Sequence, residues 1–231
     1  MIFGLSSGNL ILRDNTEGTF SKRKKDSVET TRQPLISAGQ LETSFQYCTS
    51  DISGSAKLMA DMTKAYLLGA LHDATIRKIT YRIGAKDLSY AEFLKKGITA
   101  LGHKAWIYKE GKSRNYYIVE FVKSILDQVA LKSFDDKIDY IRGYFDTDGG
   151  IARSKNVRYY LYFAQKNKND LANVKNYLEQ LNISCGIIHN PSKSKDASYF
   201  RFFIKAESYQ RFAEVIGSWH PIKSKFLRVK I

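Results

Sequence analysis

Residues 139–150 read DYIRGYFDTDGG, an apolar, helix-like run that ends in two carboxylates one residue apart, Asp146 and Asp148, and then two glycines. A weaker relative, AYLLGALHDAT, occupies residues 65–75 and carries one acid, Asp73. Carboxylates gathered in one place repel unless a cation sits between them, and aspartate oxygens suit a hard ion such as Mg²⁺. If a phosphodiester supplied the remaining ligands, the chemistry would be metal-assisted hydrolysis: water positioned, the crowded phosphate stabilised, the departing oxygen neutralised.

The chain around these acids is basic. It holds 37 Lys and Arg against 23 Asp and Glu, a net charge of +14, and +13 of this falls in residues 61–231. Such an excess points to a polyanion. Nucleic acid is the first candidate, because lysines and arginines that neutralise phosphates release counterions and bind without reading sequence. An anionic membrane surface is the alternative. No apolar run approaches the roughly 20 residues of a membrane span, and MIFGLSSGNLILRDN lacks the layout of a secretion signal. The sequence therefore reads as soluble, intracellular and not secreted, with the compartment open. Two cysteines without a CxxC partner and four histidines without ligand spacing exclude a disulfide framework and a zinc site.

The elements that must position the acids follow from periodicity. Residues 1–60, rich in Ser, Thr, Gly and Gln with a basic SKRKK at 21–25, read as a polar, mostly disordered leader. From residue 61 helix and strand signals alternate. A helix is expected over 61–73, a strand over 78–86, a helix over 89–102, strands over 105–111 and 115–121, and a basic helix near 122–131. The order then repeats: the acidic helix, strands at 151–155 and 157–165, a helix at 169–182, strands at 185–189 and 199–205, and a helix at 207–217. Two halves, 61–137 and 138–231, result. Gly69 aligns with Gly143 at an offset of 74, but IGAK at 83–86 aligns with FAQK at 163–166 at an offset of 80. Six residues are missing just after the first acidic helix, and the expectation is a lost or shortened first strand there.

Residues four apart share a helix face, so Gly69 and Asp73 line one side of the first run as Gly143 and Thr147 line one side of the second. Small side chains let two helix backbones approach closely. Related by a pseudo-twofold axis, the helices would pack as a pair with their acidic ends together.

Ile141-Arg-Gly-Tyr-Phe-Asp-Thr-Asp-Gly149 resembles the nine-residue motif of the LAGLIDADG homing endonucleases, and residues 61–231 resemble the single-chain, two-motif members of that family. The resemblance implies an α+β fold: two pseudosymmetric αββαββα halves with antiparallel DNA-binding sheets, acting as a monomer on double-stranded DNA. It also implies Mg²⁺ or another divalent cation, with Asp148 at the metal-binding position. A solvent-ordering glutamine of the family matches Gln165, and a lysine late in the half matches Lys223 first and Lys225 second.

In the second half, Asn156, Arg158, Tyr160 and Tyr162 alternate with Val157, Tyr159, Leu161 and Phe163; the first set should face DNA. Lys78, Thr80 and Arg82 alternate in the same way with Ile79, Tyr81 and Ile83. Arg153, Lys155 and Arg201 are further candidates.

The first motif departs from the pattern. With the glycines aligned, the metal position holds Ala74, and Asp73 falls one residue early, about 100° away around a regular helix. Asp73 can serve as the second ligand only if that helix end departs from regular winding. Ala85 also stands where Gln165 stands. Three activities therefore fit: a site-specific double-strand endonuclease, probed through Asp73 and Asp148; a strand-nicking enzyme using the second half alone; and a maturase that binds its own intron RNA, for which the acids are dispensable. No protein-splicing signature is visible, which favours an intron-encoded or free-standing origin over an intein.

Overall fold

The computed structural model describes residues 62–111, 114–154 and 156–229. The expected leader, its SKRKK cluster and Lys155 lie outside the described residues. The fold is mixed α+β with two antiparallel sheets. Helix α1 (Lys64–Ala70) runs into a 3₁₀ turn (Leu71–Asp73), then β1 (Ala74–Ile76), β2 (Thr80–Ala85), α2 (Leu88–Ala100), β3 (Ala105–Lys109) and β4 (Tyr117–Val122). Helix α3 (Phe134–Asp148) begins the second series with β5 (Gly149–Ile151), β6 (Leu161–Gln165), α4 (Lys168–Gln180), β7 (Phe200–Phe203), α5 (Tyr209–Val215) and α6 (Lys223–Val229). The sheets run β1-β2-β4-β3 and β5-β6-β7.

Local chemistry starts the central helices. Ser133 and Asp136 form a reciprocal capping box at the head of α3, which satisfies donors that have no intrahelical partner. Thr63 caps α1 by accepting from the Tyr66 amide, and its hydroxyl donates to Asp139 of α3 at 2.8 Å. Each sheet buries one face. Ile83, Val119 and Phe121 meet Tyr90, Leu94 and Ile98 of α2 in the first core. Phe163 and Phe202, partners across β6 and β7 with rings 5.3 Å apart, meet Phe145, Leu171, Val174 and Phe212 in the second.

Several sequence expectations need correction. The six-residue deficit is real but misplaced. Both halves keep a three-residue first strand; five of the six residues are lost in the hairpin that follows, where Ala74 to Ile83 answers to Gly149 to Phe163, and the sixth before the strand, where Asp73 follows Gly69 by four residues and Asp148 follows Gly143 by five. The expected helix at 122–131 is only a 3₁₀ turn, Lys123–Leu126. Residues 185–189 make isolated bridges from Cys185 to Ile204 and from His189 to Arg201 rather than a continuous strand. Helix α6 was not foreseen.

Strand β6 starts at Leu161, so Asn156 and Arg158 are exposed loop residues, Tyr160 is a half-buried one, and Val157 does not face the core. Lys78 and Ile79 occupy the short hairpin turn, where Ile79 is exposed. A turn has no pleat, so alternation read through it assigns faces that do not exist.

Candidate active site

The two glycines set the geometry. A Cβ on Gly69 would lie 1.9 Å from the Tyr140 carbonyl oxygen, and one on Gly143 would lie 2.0 Å from the Tyr66 carbonyl oxygen. Each glycine thus packs on the backbone of the residue three before the other, as a twofold relation requires. Around this crossing, His72 Nε2 bonds the Tyr140 hydroxyl at 2.6 Å and the Tyr66 hydroxyl donates to Asp146 at 2.7 Å.

Asp148 is the last residue of α3, immediately before β5. Asp73 ends the 3₁₀ turn, immediately before β1. In register, Ala74 pairs with Ile83 and Gly149 with Phe163, so the residues preceding them, Asp73 and Asp148, hold equivalent places. The tighter winding of the first helix end takes up the residue that the sequence lacks; three residues rather than 3.6 complete a turn. Asp73 is not misplaced: Ala74, the formal motif match, is already in the strand.

The two carboxylates share one electrostatic environment. Burial, and then the negative charge of Asp73, push Asp148 up to about 7, with the Lys223 ammonium opposing. Asp73 is exposed on its outer side, yet burial of the remainder raises it too, again opposed by Lys223. Gln165 ties the two ends together: its amide nitrogen donates to Asp148 at 2.9 Å and to the His72 carbonyl at 3.2 Å. Ala85, at the matching place in the first half, is buried and has no group to do this.

Two roles emerge that the sequence did not show. Asp146 is buried and points away from Asp148. It accepts from Tyr66, from the Ser218 hydroxyl, and from the backbone amides of Trp219 and His220 at 3.0 Å each. Trp219 stacks on Tyr66 with ring centroids 4.8 Å apart, and His220 stacks on Tyr90 at 4.3 Å. The segment after α5 is therefore clamped into the first half. Lys223 is also buried; its ammonium donates to the carbonyls of Phe145, Asp146 and Gly149 at 2.6, 2.9 and 2.6 Å. It caps α3 beneath the acids. Burial lowers it to about 8, with nearby Arg153 adding to the effect and Asp146 opposing it. Lys225 is exposed.

Of the other candidates, Arg82, Thr80, Tyr162 and Arg201 share the sheet faces opposite the cores. Thr80 is nonetheless buried, its hydroxyl donating to Glu120 at 2.7 Å. Arg201 lies over the rings of Phe203 and Tyr162, 4.9 and 5.9 Å from their centroids. Arg153 is exposed at the start of the long hairpin.

The donor set fits a hard divalent cation: two neighbouring carboxylates, Asp148 half-buried and Asp73 exposed, whose repulsion such an ion would relieve. Among the described residues no cluster of three acidic, histidine or cysteine side chains forms a self-sufficient metal cage. Among the described residues, too, no helix is long and apolar enough to cross a membrane.

Comparison with known proteins bears on the fold. Residues 135–217 match the family profile described as LAGLIDADG-like domain. The fold matches the crystal structure of I-DmoI in complex with DNA and Ca at 20% identity and TM-score 0.53, covering 74% of this chain and 98% of that one. I-DmoI in complex with DNA and Mn matches at 21% identity and TM-score 0.50, over 69% and 97% of the two chains. Full-length DUF199/WhiA from Thermotoga maritima matches at 15% identity and TM-score 0.55, over 74% and 64%. No curated protein sequence gives a significant match. Residues 135–217 thus carry a LAGLIDADG-like domain, and the described residues share the fold of these solved structures.

Proposed function

We propose that this protein is a site-specific DNA endonuclease that hydrolyses phosphodiesters with a divalent cation and acts as a monomer. The observation that carries the reading is that Asp148 lies close enough to Asp73 to feel its charge, with Gln165 joining Asp148 to the His72 carbonyl, at the end of a backbone-tight helix pair. The fold shared with DNA-bound I-DmoI and the +14 charge support DNA as substrate.

Asp148 and Asp73 would hold the ion, which when bound would polarise the scissile phosphate and offset charge on the departing oxygen. Gln165 holds the Asp148 carboxylate in place and, through the His72 carbonyl, fixes its position relative to Asp73. Lys223 secures the end of α3, so Asp148 projects from a rigid helix. The outward sheet faces, with Arg82, Tyr162 and Arg201, and the hairpin residues Lys78, Asn156, Arg158, Tyr160 and Arg153 would contact the duplex, and Lys155 is a further candidate on sequence alone.

One observation favours unequal strands. Gln165 and Lys223 both belong to the second half, and Ala85 offers no substitute in the first. One strand should therefore be cut first, leaving a nicked intermediate. The test is cleavage of a supercoiled plasmid carrying the DNA that flanks the reading frame, in Mg²⁺. Wild type should pass from nicked to linear product, and Asp148→Asn should give neither. Cutting that persists in this variant would falsify the assignment. An intron RNA whose splicing depended on the protein and was indifferent to Asp148→Asn would instead establish the maturase role.

A further inference from the structure

On the solvent face of the first sheet one rung crosses all four strands: Thr75 pairs with Arg82, Arg82 with Glu120, and Glu120 with Trp106. A carboxylate in the middle of a face meant for a polyanion should weaken binding. Glu120 is fully engaged, however. It accepts from the Thr80 hydroxyl at 2.7 Å, from Arg82 Nε at 2.9 Å and from the Tyr108 hydroxyl at 2.8 Å. Thr80 first, and then Tyr108 and Arg82, hold its carboxyl below the usual range, so it stays ionised.

The way Arg82 is held matters. Glu120 takes the guanidinium by its side nitrogen, Nε, and no other described residue takes its two terminal nitrogens. Those nitrogens form the fork that matches the O6 and N7 of guanine in the major groove. The arginine side chain is 30% exposed against 17% for the carboxylate, so the arginine is the more outward member of the pair. The Tyr108 ring lies alongside, its centroid 5.8 Å from the guanidinium carbon. A free arginine loses considerable rotamer entropy on binding, and one already held by Glu120 and flanked by the Tyr108 ring has less left to lose.

We propose that Glu120 is a specificity-determining positioning residue: it presents Arg82 fork-outward to one guanine of the target, sacrificing general attraction to phosphate for discrimination at one base pair. The inference rests on the DNA-binding reading above. A merely structural pair would behave differently, because a partly exposed ion pair contributes little to stability and nothing to base choice.

The test is selection of bound duplexes from a randomised library by the full chain in EDTA, which prevents cutting, for wild type, Arg82→Ala, Glu120→Gln and Tyr108→Phe. Wild type should enrich a site with one position fixed as G·C. Arg82→Ala should lose that preference, and Glu120→Gln should weaken it about tenfold, within the range of one arginine–guanine pair. Tyr108→Phe should weaken it less, and the rest of the site should stay unchanged. Affinity for random duplex should be equal or higher in Glu120→Gln, and thermal melting should show all variants folded. An unchanged guanine preference in Glu120→Gln overturns the proposal, as does uniform loss of affinity at every position. If wild type itself enriches no sequence or fails to bind duplex, the DNA-binding reading fails with it.

Discussion

Gly69 and Gly143 meet across the helix pair so closely that a methyl group on either would lie about 2 Å from a carbonyl oxygen of the facing backbone. Backbone cannot swing aside as a side chain does, so the contact admits no larger residue. It also makes the positions of Asp73 and Asp148 depend on one interface, since each glycine lies within a turn or so of its acid.

Gly69→Ala or Gly143→Ala should therefore lower unfolding free energy by about 3 kcal/mol or more, the upper range for overpacking. Gly186→Ala, where a Cβ would approach nothing closer than 3.4 Å, is the control and should change little. Urea denaturation of the three variants checks this.

The two acids of the second run should respond oppositely. Asp146→Ala leaves two hydroxyls and two backbone amides buried without their acceptor and should cost roughly 3–5 kcal/mol. Asp148→Asn should do the reverse in buffer free of divalent ions. Its carboxyl is raised to about 7 in the fold from 3.8, so the folded state holds a proton that the unfolded chain has lost. Stability is thereby drained as pH rises from about 4 to about 7. Melting at pH 8 should show Asp148→Asn more stable than wild type, and equal to it at pH 4.

Lys223→Met removes donors from three carbonyls at the end of α3. It should cost about 2–3 kcal/mol as well as lowering cleavage. Lys225→Met, at an exposed site, should alter stability by less than about 0.5 kcal/mol. Paired denaturation and cleavage measurements distinguish a structural lysine from a surface one.

His220 supplies an acid sensitivity. Its Nδ1 accepts from the Ile222 amide, leaving the proton on Nε2, 3.8 Å from Asp87. Burial, aided by Lys223 and Arg153, lowers the ring to about 3, so it is neutral and the Asp87 contact is not an ion pair at pH 7. The unfolded chain takes up the proton near 6.5 and the folded chain does not. Stability should thus fall as pH drops below about 6.5, by as much as about 1.4 kcal/mol per unit from this group. His220→Phe should flatten that limb of a melting-temperature profile between pH 6.5 and 4.

Much of this architecture could be read from residues alone because its signals are local. Strand β2 and helices α2 and α4 follow the periodicity of their own segments, and the glycines announce the helix contact by their size. What escaped notice is set by distant partners. Asp146 and Asp148 are two residues apart, about 200° around a helix, so if one faces the reaction centre the other must face away. Helix geometry thus implies the divergence, but not that Asp146 meets the Ser218–His220 segment. Lys223 is expected as a site residue from the resemblance, but its burial against three carbonyls is not, because nothing near it in the chain betrays them. Five of the six residues missing from the first half come out of a hairpin, which can change length at far lower cost than a sheet edge.

The 3₁₀ turn at Leu71–Asp73 turns an apparent defect into an adaptation. An engineer who inserted one amino acid there to restore the nine-letter signature would keep Asp73 in place only if the turn rewound as regular helix, as the end of α3 does. The shorter spelling is already the correct one for this half, because coil pitch and letter count were adjusted together.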